Sequence, residues 1–413
     1  MTLLPPFARR SLALVVAASA AATAPAQTLE VMHWWTSSSE SAAVKVLAET
    51  YTAAGGTWKD TAIAGTGVAQ KAIIARLSSG NPPGVSQFNF GKRIDEMAGE
   101  GLLGDISDVA ARDKWAAAIP PAILQAISHN GKVVAIPVTV AGINWVWFSP
   151  KVLKAAGVAA PKTMDEMFAA ADKIKAAGFT PFAVGTQSWQ LGWLYNNLLL
   201  GVGGRTAYEQ LAKADPAVYA TPAAAKAMEL LFKVRASVDS GATNRSWNDS
   251  TNLVLSDKAG FQFMGDWAKG EFLSAGKKPG TDFGCMLTPG AQNVYVVMGD
   301  AFAVSGKVGA DTVAAQKKLA STVMDPRNQR RFALAKGSVP VRTDVPSVGF
   351  DECAVNAMKI MTDPKSVVAG TTMTLSGDVN GAITDAIGKI WATPTIKADA
   401  AVQMLAQAMK AAK

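Results

Sequence analysis

Strand-like runs and helical segments alternate between residues 29 and 93, and this alternation constrains the fold more than any other feature. The runs at residues 29–32, 57–63 and 85–90 are typical of strands, and each precedes a segment with helical character. Strand–helix units of this size imply parallel pairing of the strands. The sequence therefore predicts an α/β fold.

Two adjacent tryptophans, Trp34 and Trp35, and the carboxylate of Glu40 follow the first strand-like run. In an open α/β sheet, ligands bind beyond the carboxyl ends of the strands, where this turn is expected. Because two adjacent side chains cannot both point inward, we expect one indole in the core and the other available to a ligand. A sugar ring suits such a turn, since its C–H faces pack on indole and its hydroxyls bond to polar side chains.

The N-terminus has the three parts of a secretory signal peptide. Arg9 and Arg10 precede an apolar run over residues 11–23, and Ala24-Pro25-Ala26 provides an A-x-A site. The run is shorter than the about 20 residues that a membrane-spanning helix needs. We therefore predict cleavage after Ala26 and an exported, soluble mature protein.

The charge pattern argues against a nucleic-acid-binding protein. The formal net charge of +8 falls to +6 on cleavage, because the predicted signal peptide contains two arginines and no acids. The basic doublets are scattered, and there is no basic tract. We interpret them as solvated surface.

Cysteine and histidine usage argues for a disulfide and against a metal cofactor. Cys285 and Cys353 are the two cysteines of the chain, and in an oxidising compartment such a pair is expected to be bonded. His33 and His129, the two histidines, have no Cys or His partner at ligand spacing. The glycine turn at residues 65–67 lacks the Lys-Ser/Thr of a phosphate loop, so no nucleotide cofactor is predicted.

The extended stretch over residues 133–148 suggests a crossing between two domains. It exceeds the usual strand length of about 5–6 residues, and Pro137 argues against one central strand. Residues 293–304 and 335–342 are two further crossing candidates. A mature chain of about 390 residues suits two domains, since single cores stop growing at about 250–300 residues.

Several short motifs occur in a defined order behind the predicted signal peptide. They are Trp34-Trp35, Gly80-Asn81-Pro82-Pro83, the stretch from Asn130-Gly131-Lys132 to Pro137, Met264-Gly265-Asp266-Trp267, and Gly299-Asp300-Ala301-Phe302. In this order they resemble the periplasmic sugar-binding proteins of ABC importers (extracellular solute-binding protein family 1), most closely the glucose/mannose-binding branch. The resemblance covers nearly all of the mature chain.

This resemblance implies a periplasmic-binding-protein fold with two discontinuous α/β lobes and a ligand cleft between them. The expected lobes are residues 27–139 plus 300–338 and residues 140–299 plus 339–413. The resemblance further implies a periplasmic monomer that closes around an aldohexose such as glucose and delivers it to an ABC permease, without catalysis or cofactor.

Carried over position by position, the resemblance implies a set of substrate-binding residues. The first lobe would contribute Trp34, Trp35, Glu40 and Lys92, the second lobe Trp267, the crossings Asp300 and Lys336, and the facing turns Trp189, Gln190 and Asn144. Two departures bear on which sugar is bound. Met298 stands where relatives often carry asparagine, and no histidine follows His129, although relatives carry one near the position of Thr371.

Several of these residues have structural alternatives. Ser37-x-x-Glu40 fits a capping box, Lys92 and Lys336 fit surface lysines, and Trp267 fits a contact between a helix and its sheet. Two further groups are expected to be structural: Trp145 and Trp147 in the core, and His33 as a hydrogen-bonding group.

Two alternatives to a monosaccharide receptor stay open. One is a receptor for a disaccharide, glycoside or polyol. The other is an exported glycoside-acting enzyme that uses two of Glu40, Asp266 and Asp300, which would then lie about 5–5.5 or 6.5–9.5 Å apart. No motif in the sequence pairs two of these acids, so the receptor is the favoured interpretation.

Overall fold

The structure, a computed structural model, describes residues 27–413. The predicted signal peptide and its cleavage site lie outside the described residues. Among residues 27–413, no helix combines the length and the apolar character that crossing a membrane requires.

The strands, numbered along the chain, are β1 (Gln27–His33), β2 (Gly56–Ala62), β3 (Val85–Asn89), β4 (Ser128–His129), β5 (Lys132–Val133), β6 (Ala135–Gly142), β7 (Trp145–Phe148), β8 (Thr180–Phe182), β9 (Ala259–Phe263), β10 (Gly284–Leu287), β11 (Tyr295–Val304) and β12 (Val367–Ala369). The helices are α1 (Ser38–Ala53), α2 (Thr66–Ser78), α3 (Lys92–Gly99), α4 (Ser107–Arg112), α5 (Trp115–Ala118), α6 (Pro121–Ala126), α7 (Pro150–Ala155), α8 (Met164–Ala176), α9 (Ser188–Ala212), α10 (Pro222–Arg235), α11 (Trp247–Leu255), α12 (Trp267–Ser274), α13 (Ala310–Met324), α14 (Pro326–Lys336), α15 (Glu352–Ile360), α16 (Thr371–Thr374), α17 (Gly377–Trp391) and α18 (Ala398–Ala411), with a 3-10 helix at Pro216–Ala220.

The first sheet has the strand order β12-β11-β3-β1-β2, and β6 also pairs with β11. β1 is parallel to both β2 and β3, which confirms the parallel pairing predicted from the sequence. β11 is antiparallel to β3 and β6 and parallel to β12. The centre of β11 is therefore held by strands from distant parts of the chain.

Helix α1 begins at the turn that follows β1. The Ser37 hydroxyl accepts a hydrogen bond from the Glu40 N–H, and the Glu40 carboxylate accepts one from the Ser37 N–H, which completes a capping box. Val44, Leu47 and Tyr51 of α1 are buried. The end of β1 and the start of α1 thus meet at one edge of the first sheet.

The second sheet has the strand order β10-β7-β9-β8. β7 is antiparallel to β9 and β10, and β8 is parallel to β9. Its core contains Val146, Phe182 and Phe261, all buried, and α17 and α18 pack against α9 and α10 beside it. The C-terminal part of the chain is mainly helical. The two sheets give the mixed α/β architecture expected from the sequence.

The extended stretch after residue 133 does connect the two sheets. β6 belongs to the first sheet and β7 to the second, so the chain crosses between Gly142 and Trp145. β6 and β11 lie wholly in the first sheet, so the lobe limits predicted at residues 139–140 and 299–300 fall inside continuous strands. The division of the chain into lobes stays a prediction.

A β-bulge explains how β6 accommodates a proline. Asp300 pairs with Thr139 and Ala301 pairs with Pro137, which leaves Val138 as an extra residue in β6. Proline lacks an N–H and is tolerated in sheets at edges and bulges. The bulge also lies directly opposite Asp300, one of the predicted site residues.

The predicted disulfide is present. Cys285 of β10 and Cys353 of α15 are bonded across 68 residues of sequence. The bond joins an edge strand of the second sheet to the C-terminal helical segment. It therefore links parts of the chain that no short loop connects.

Candidate functional site

Glu40 and Lys336 form a buried ion pair at the edge of the first sheet. The Lys336 ammonium lies 3.1 Å from Glu40 Oε1, and both side chains are less than a tenth exposed. The other oxygen, Oε2, accepts from the N–H groups of Thr36 and Ser37, each at 3.2 Å. Glu40 is thus both the helix cap and an ion-pair partner, and its predicted contact with a ligand stays a prediction. Lys336 is not a surface lysine.

Asp300 lies on β11 beside two amide side chains of β3. Its Oδ1 accepts from Gln87 Nε2 at 3.1 Å and from Asn89 Nδ2 at 2.9 Å. Burial raises the pKa of the Asp300 carboxyl to about 6, against the opposing effect of the Lys336 ammonium. The Glu40–Lys336 pair and the group of Asp300, Gln87 and Asn89 interact through the charges of Lys336 and Asp300. We call these five residues the polar wall.

Gln87 and Asn89 were missed by the sequence analysis. Gln87 Oε1 also accepts from the Trp34 N–H at 3.0 Å, so it connects Asp300 to the tryptophan turn. The available signal was their i, i+2 spacing at the carboxyl end of a strand that neighbours β1. That spacing places both side chains on one face of the sheet.

The paired tryptophans divide as predicted. Trp35 is 2% exposed and packs on Phe302 and Phe332, with ring centroids 5.7 and 5.4 Å away. Trp34 is half-buried and contacts Phe88 edge-on. Of the two indoles, Trp34 is the one available to a ligand, and its contact with one stays a prediction.

Trp267, the first residue of α12, belongs to a cluster of four tryptophans. Its ring centroid lies 5.1 Å from that of Trp193 and 6.5 Å from that of Trp247, and Trp193 lies 5.2 Å from Trp189. Trp267 is buried and the other three are half-buried. We call these four residues the indole wall.

The residues predicted on a turn near Trp189 are helical instead. α9 begins at Ser188, and Trp189 and Trp193 stand four positions apart, so their rings meet on one face. This i, i+4 spacing was visible in the sequence. Trp247 begins α11, and its approach to Trp267 depends on tertiary packing that no local pattern reveals.

The two walls meet at Lys336. Its ammonium lies 5.5 Å from the centroid of the Trp267 ring, within the range of a cation–π contact. The polar wall comes from elements of the first sheet and its helices, whereas the indole wall comes from helices beside the second sheet. Polar side chains and apolar ring faces are therefore contiguous where the two parts of the molecule meet.

Asp266, next to Trp267, is a third buried carboxyl at this junction. Its Oδ2 accepts from the Gly142 N–H at 3.0 Å, and its Oδ1 has no hydrogen-bond partner among the described residues. Burial raises the pKa of the Asp266 carboxyl to about 7, with Lys269 and Lys336 opposing the shift and Asp300 adding to it. Asp266 thus lies at the strand crossing, within electrostatic reach of the polar wall.

Two predicted site residues have their side chains occupied by structural bonds. Asn144 donates to the Val294 carbonyl at 2.8 Å and accepts from the Val296 N–H at 2.9 Å. Gln190 donates to Gln187 and to the Arg245 carbonyl, each at 3.0 Å. Asn144 therefore joins the segment between β6 and β7 to the residues at the start of β11. Gln190 joins the start of α9 to the segment that precedes α11.

The structure does not bring Lys92 to either wall. Its side chain is 48% exposed and pairs with Asp95 at 3.3 Å. It lines a groove of about 730 Å³ together with Pro121 and Met373, and no wall residue lines that groove. The turn at Gly91, with φ of +100°, starts α3 and leaves Lys92 on the exposed side of the helix.

Comparison with known proteins places the whole chain among binding proteins. Residues 35–318 match the family model described as bacterial extracellular solute-binding protein. A "Probable sugar-binding periplasmic protein" of Rhizobium meliloti is 38% identical over 97% of both chains. A protein of the same description from Brucella suis is 39% identical and covers 80% of this chain and 79% of its own.

Solved structures share the fold at low sequence identity. The bacterial solute receptor AcbH, described with an exclusive preference for β-D-galactopyranose, superposes with a TM-score of 0.81 at 20% identity, over 94% of this chain and 99% of that one. A chitin oligosaccharide binding protein gives a TM-score of 0.79 at 19% identity with the same coverage. These likenesses show that the fold is that of the two-lobed periplasmic binding proteins.

Proposed function

The chain belongs to the bacterial extracellular solute-binding protein family, as its motifs predicted, and from that premise we propose that it is a periplasmic receptor for a monosaccharide, an aldohexose such as glucose. Members of this family and the relatives above are binding proteins of ABC importers, not enzymes. In this proposal the bound sugar is delivered unchanged to a permease in the inner membrane, and the receptor acts as a monomer.

One observation supports the proposal above all others: Lys336 of the polar wall contacts both Glu40 and the Trp267 ring of the indole wall. A sugar ring needs an apolar face to stack on and donors and acceptors for its hydroxyls. Trp267 offers the ring face, and Glu40, Asp300 and Asn89 offer acceptors and donors beside it. Because the walls belong to different sheets, a ligand that touches both favours the closed arrangement of the lobes.

Three observations support the proposed periplasmic location. The N-terminal sequence has the form of a signal peptide cleaved after Ala26, and the relatives from Rhizobium meliloti and Brucella suis are described as periplasmic. The disulfide between Cys285 and Cys353 suits an oxidising compartment. N-terminal sequencing of the exported protein would locate the cleavage site.

A disaccharide or glycoside is the second candidate ligand. The partly exposed rings of Trp189, Trp193 and Trp247 extend the apolar surface past Trp267. A second sugar ring would find stacking surface there. Met298 stands where glucose-binding relatives often carry asparagine, so this position provides no polar partner for glucose.

The test is calorimetry of the purified mature protein with a panel of aldohexoses, disaccharides and polyols. We expect one aldohexose to bind in the micromolar range or tighter. NMR of the sugar after prolonged incubation should show no change, and Asp300→Asn should abolish the binding heat. Absence of heat and of any thermal shift across the whole panel would contradict the proposal, and sugar hydrolysis that Asp300→Asn removes would instead support an enzyme.

A further inference from the structure

The first turn of α1 has a hydrogen-bond partner outside its own segment. A helix leaves its first N–H groups without internal partners. The Glu40 N–H is capped by Ser37, but the Ser39 N–H donates to Glu271 Oε1 of α12 at 3.0 Å. The Ser39 hydroxyl donates to the same oxygen at 2.6 Å. Glu271 therefore caps α1 from a different helix.

This contact is buried and electrostatically favourable. Ser39 is fully buried, and Glu271 is 8% exposed. A carboxylate at a helix N-terminus is stabilised by the helix dipole, and its bonds to N–H and O–H donors are charge-assisted. The nearby ammonium of Lys269 is bound to Asp351 at 2.8 Å, and no ion pair of Glu271 occurs within residues 27–413. Glu271 is thus held by its hydrogen bonds to Ser39.

Close backbone packing surrounds the contact. A Cβ on Gly270 would lie 2.6 Å from the Lys336 carbonyl and 2.7 Å from the Ser39 hydroxyl. A Cβ on Gly337 would lie 2.4 Å from the Gly270 nitrogen, and Gly337 adopts a φ of +82°. Helix α12 therefore fits between α1 and the end of α14 with no space for a side chain.

We propose that Glu271 is a positioning residue for ligand binding: by capping α1 from α12, it sets the separation between Glu40 and Trp267. Glu40 follows Ser39 directly, and Trp267 precedes Glu271 by four residues, about one helical turn. The bond between Ser39 and Glu271 thus joins the segment that carries the polar wall to the segment that carries the indole wall. This inference rests on the proposed sugar receptor.

The test compares Glu271→Gln and Ser39→Ala with the wild-type protein. Glu271→Gln keeps the side-chain size but removes the charge, whereas Ser39→Ala removes the hydroxyl donor and keeps the N–H. We expect D-glucose, the probe used, to bind about tenfold more weakly to Glu271→Gln and about threefold more weakly to Ser39→Ala, in line with one or two lost hydrogen bonds. The loss should appear in the dissociation rate, followed by stopped-flow tryptophan fluorescence.

The control is Glu49→Gln on α1, the helix that carries Ser39. The Glu49 side chain is half exposed and pairs with Lys45 and Arg331. We expect wild-type affinity from this variant. A lower melting temperature of Glu271→Gln and Ser39→Ala with unchanged glucose affinity and dissociation rate would overturn the positioning role.

Hydrogen exchange separates this inference from the proposed function. If the wild-type protein binds no D-glucose, the function proposed for it is in question, while the cap is still tested by amide exchange in the ligand-free protein. Exchange of the Ser39 amide should be faster in Glu271→Gln than in the wild-type protein. Equal exchange rates would overturn the cap itself, whatever the ligand.

Discussion

The polar wall and the indole wall are assembled by different interactions. In the polar wall, each side chain is bonded to another member: Lys336 to Glu40, and Asp300 to Gln87 and Asn89. In the indole wall, the rings touch one another with tilted or edge-on geometry, and three of the four stay half-exposed.

This difference predicts unequal responses to mutation. Removal of one member of a buried ionic network leaves its partner charged and unpaired, which costs more than the lost contact. Removal of one ring from a cluster loses apolar area in proportion to its burial. We therefore expect the polar wall to determine whether a sugar binds and the indole wall to adjust how tightly.

The largest effect is expected from Lys336→Met. The substitution leaves the Glu40 and Asp300 carboxylates buried without their cation, so hexose binding should fall below detection by calorimetry. The free energy of unfolding should fall by about 3–5 kcal/mol in urea denaturation. Lys92→Met is the matched control, because Lys92 is exposed and pairs with Asp95 rather than with a wall residue, and its free energy of unfolding should stay within about 0.5 kcal/mol of the wild-type value. Loss of binding in the control would show that the polar wall extends further than described.

Trp267→Ala should weaken binding by about 2 kcal/mol or more, at least about 30-fold in Kd. The reason is loss of the buried ring that faces Lys336 and supports Trp193. Calorimetry of Trp267→Ala and Trp267→Phe would show whether binding needs any aromatic ring at this position or the indole itself. Trp391→Phe, a half-buried tryptophan of α17, is the control. Equal affinity of the wild-type protein and Trp267→Ala would remove the indole wall from the site.

Stability should fall as pH rises from about 4 to about 7, because of Asp266 and Asp300. Their pKa values in the folded protein, about 7 and about 6, lie above the usual value of 3.8, so the folded state binds more protons than the unfolded state in this window. Asp266→Asn should flatten the dependence and be more stable than the wild-type protein at about pH 8, by at most about 4 kcal/mol. Urea denaturation across this pH range checks both statements, and a wild-type protein that gains stability as pH rises through the window would contradict them.

The smallest effect is expected from Trp189→Phe. Trp189 packs edge-on against Trp193 and donates to Gln187 at 3.0 Å, at the periphery of the indole wall. Binding of a monosaccharide should weaken by less than about 1 kcal/mol in calorimetry. A much larger loss for a disaccharide than for a monosaccharide would favour the second candidate ligand.

The sequence predicted the fold because its signals are local. Strand runs, helical spacing and the capping box at Ser37 each depend on a few neighbouring residues, and all appear in the structure. The disulfide was predictable because the chain has just two cysteines and its sequence predicts export to an oxidising compartment. The division of roles between Trp34 and Trp35 followed from the opposite directions of adjacent side chains.

The site was harder to predict because its members meet through tertiary packing. Gln87 looks like an ordinary polar residue of a buried strand until β11 brings Asp300 beside it. Trp247 begins a helix that packs against another helix, and no spacing relates it to Trp267. Lys92 follows a strand as a ligand-binding residue would, and it is exposed beside Asp95, so its contact with a ligand stays a prediction.

The extra residue Val138 makes the length of β6 unusually consequential. Because side chains alternate with a period of two, Val138 lets residues 135–137 and residues 139–142 each keep their pairing with β11, and a one-residue deletion beyond the bulge would shift Gly142 out of that register. Gly142 would then lose the geometry in which its N–H reaches Asp266. Substitutions of side chains near this junction are therefore expected to be tolerated better than the loss of one residue from β6 after the bulge.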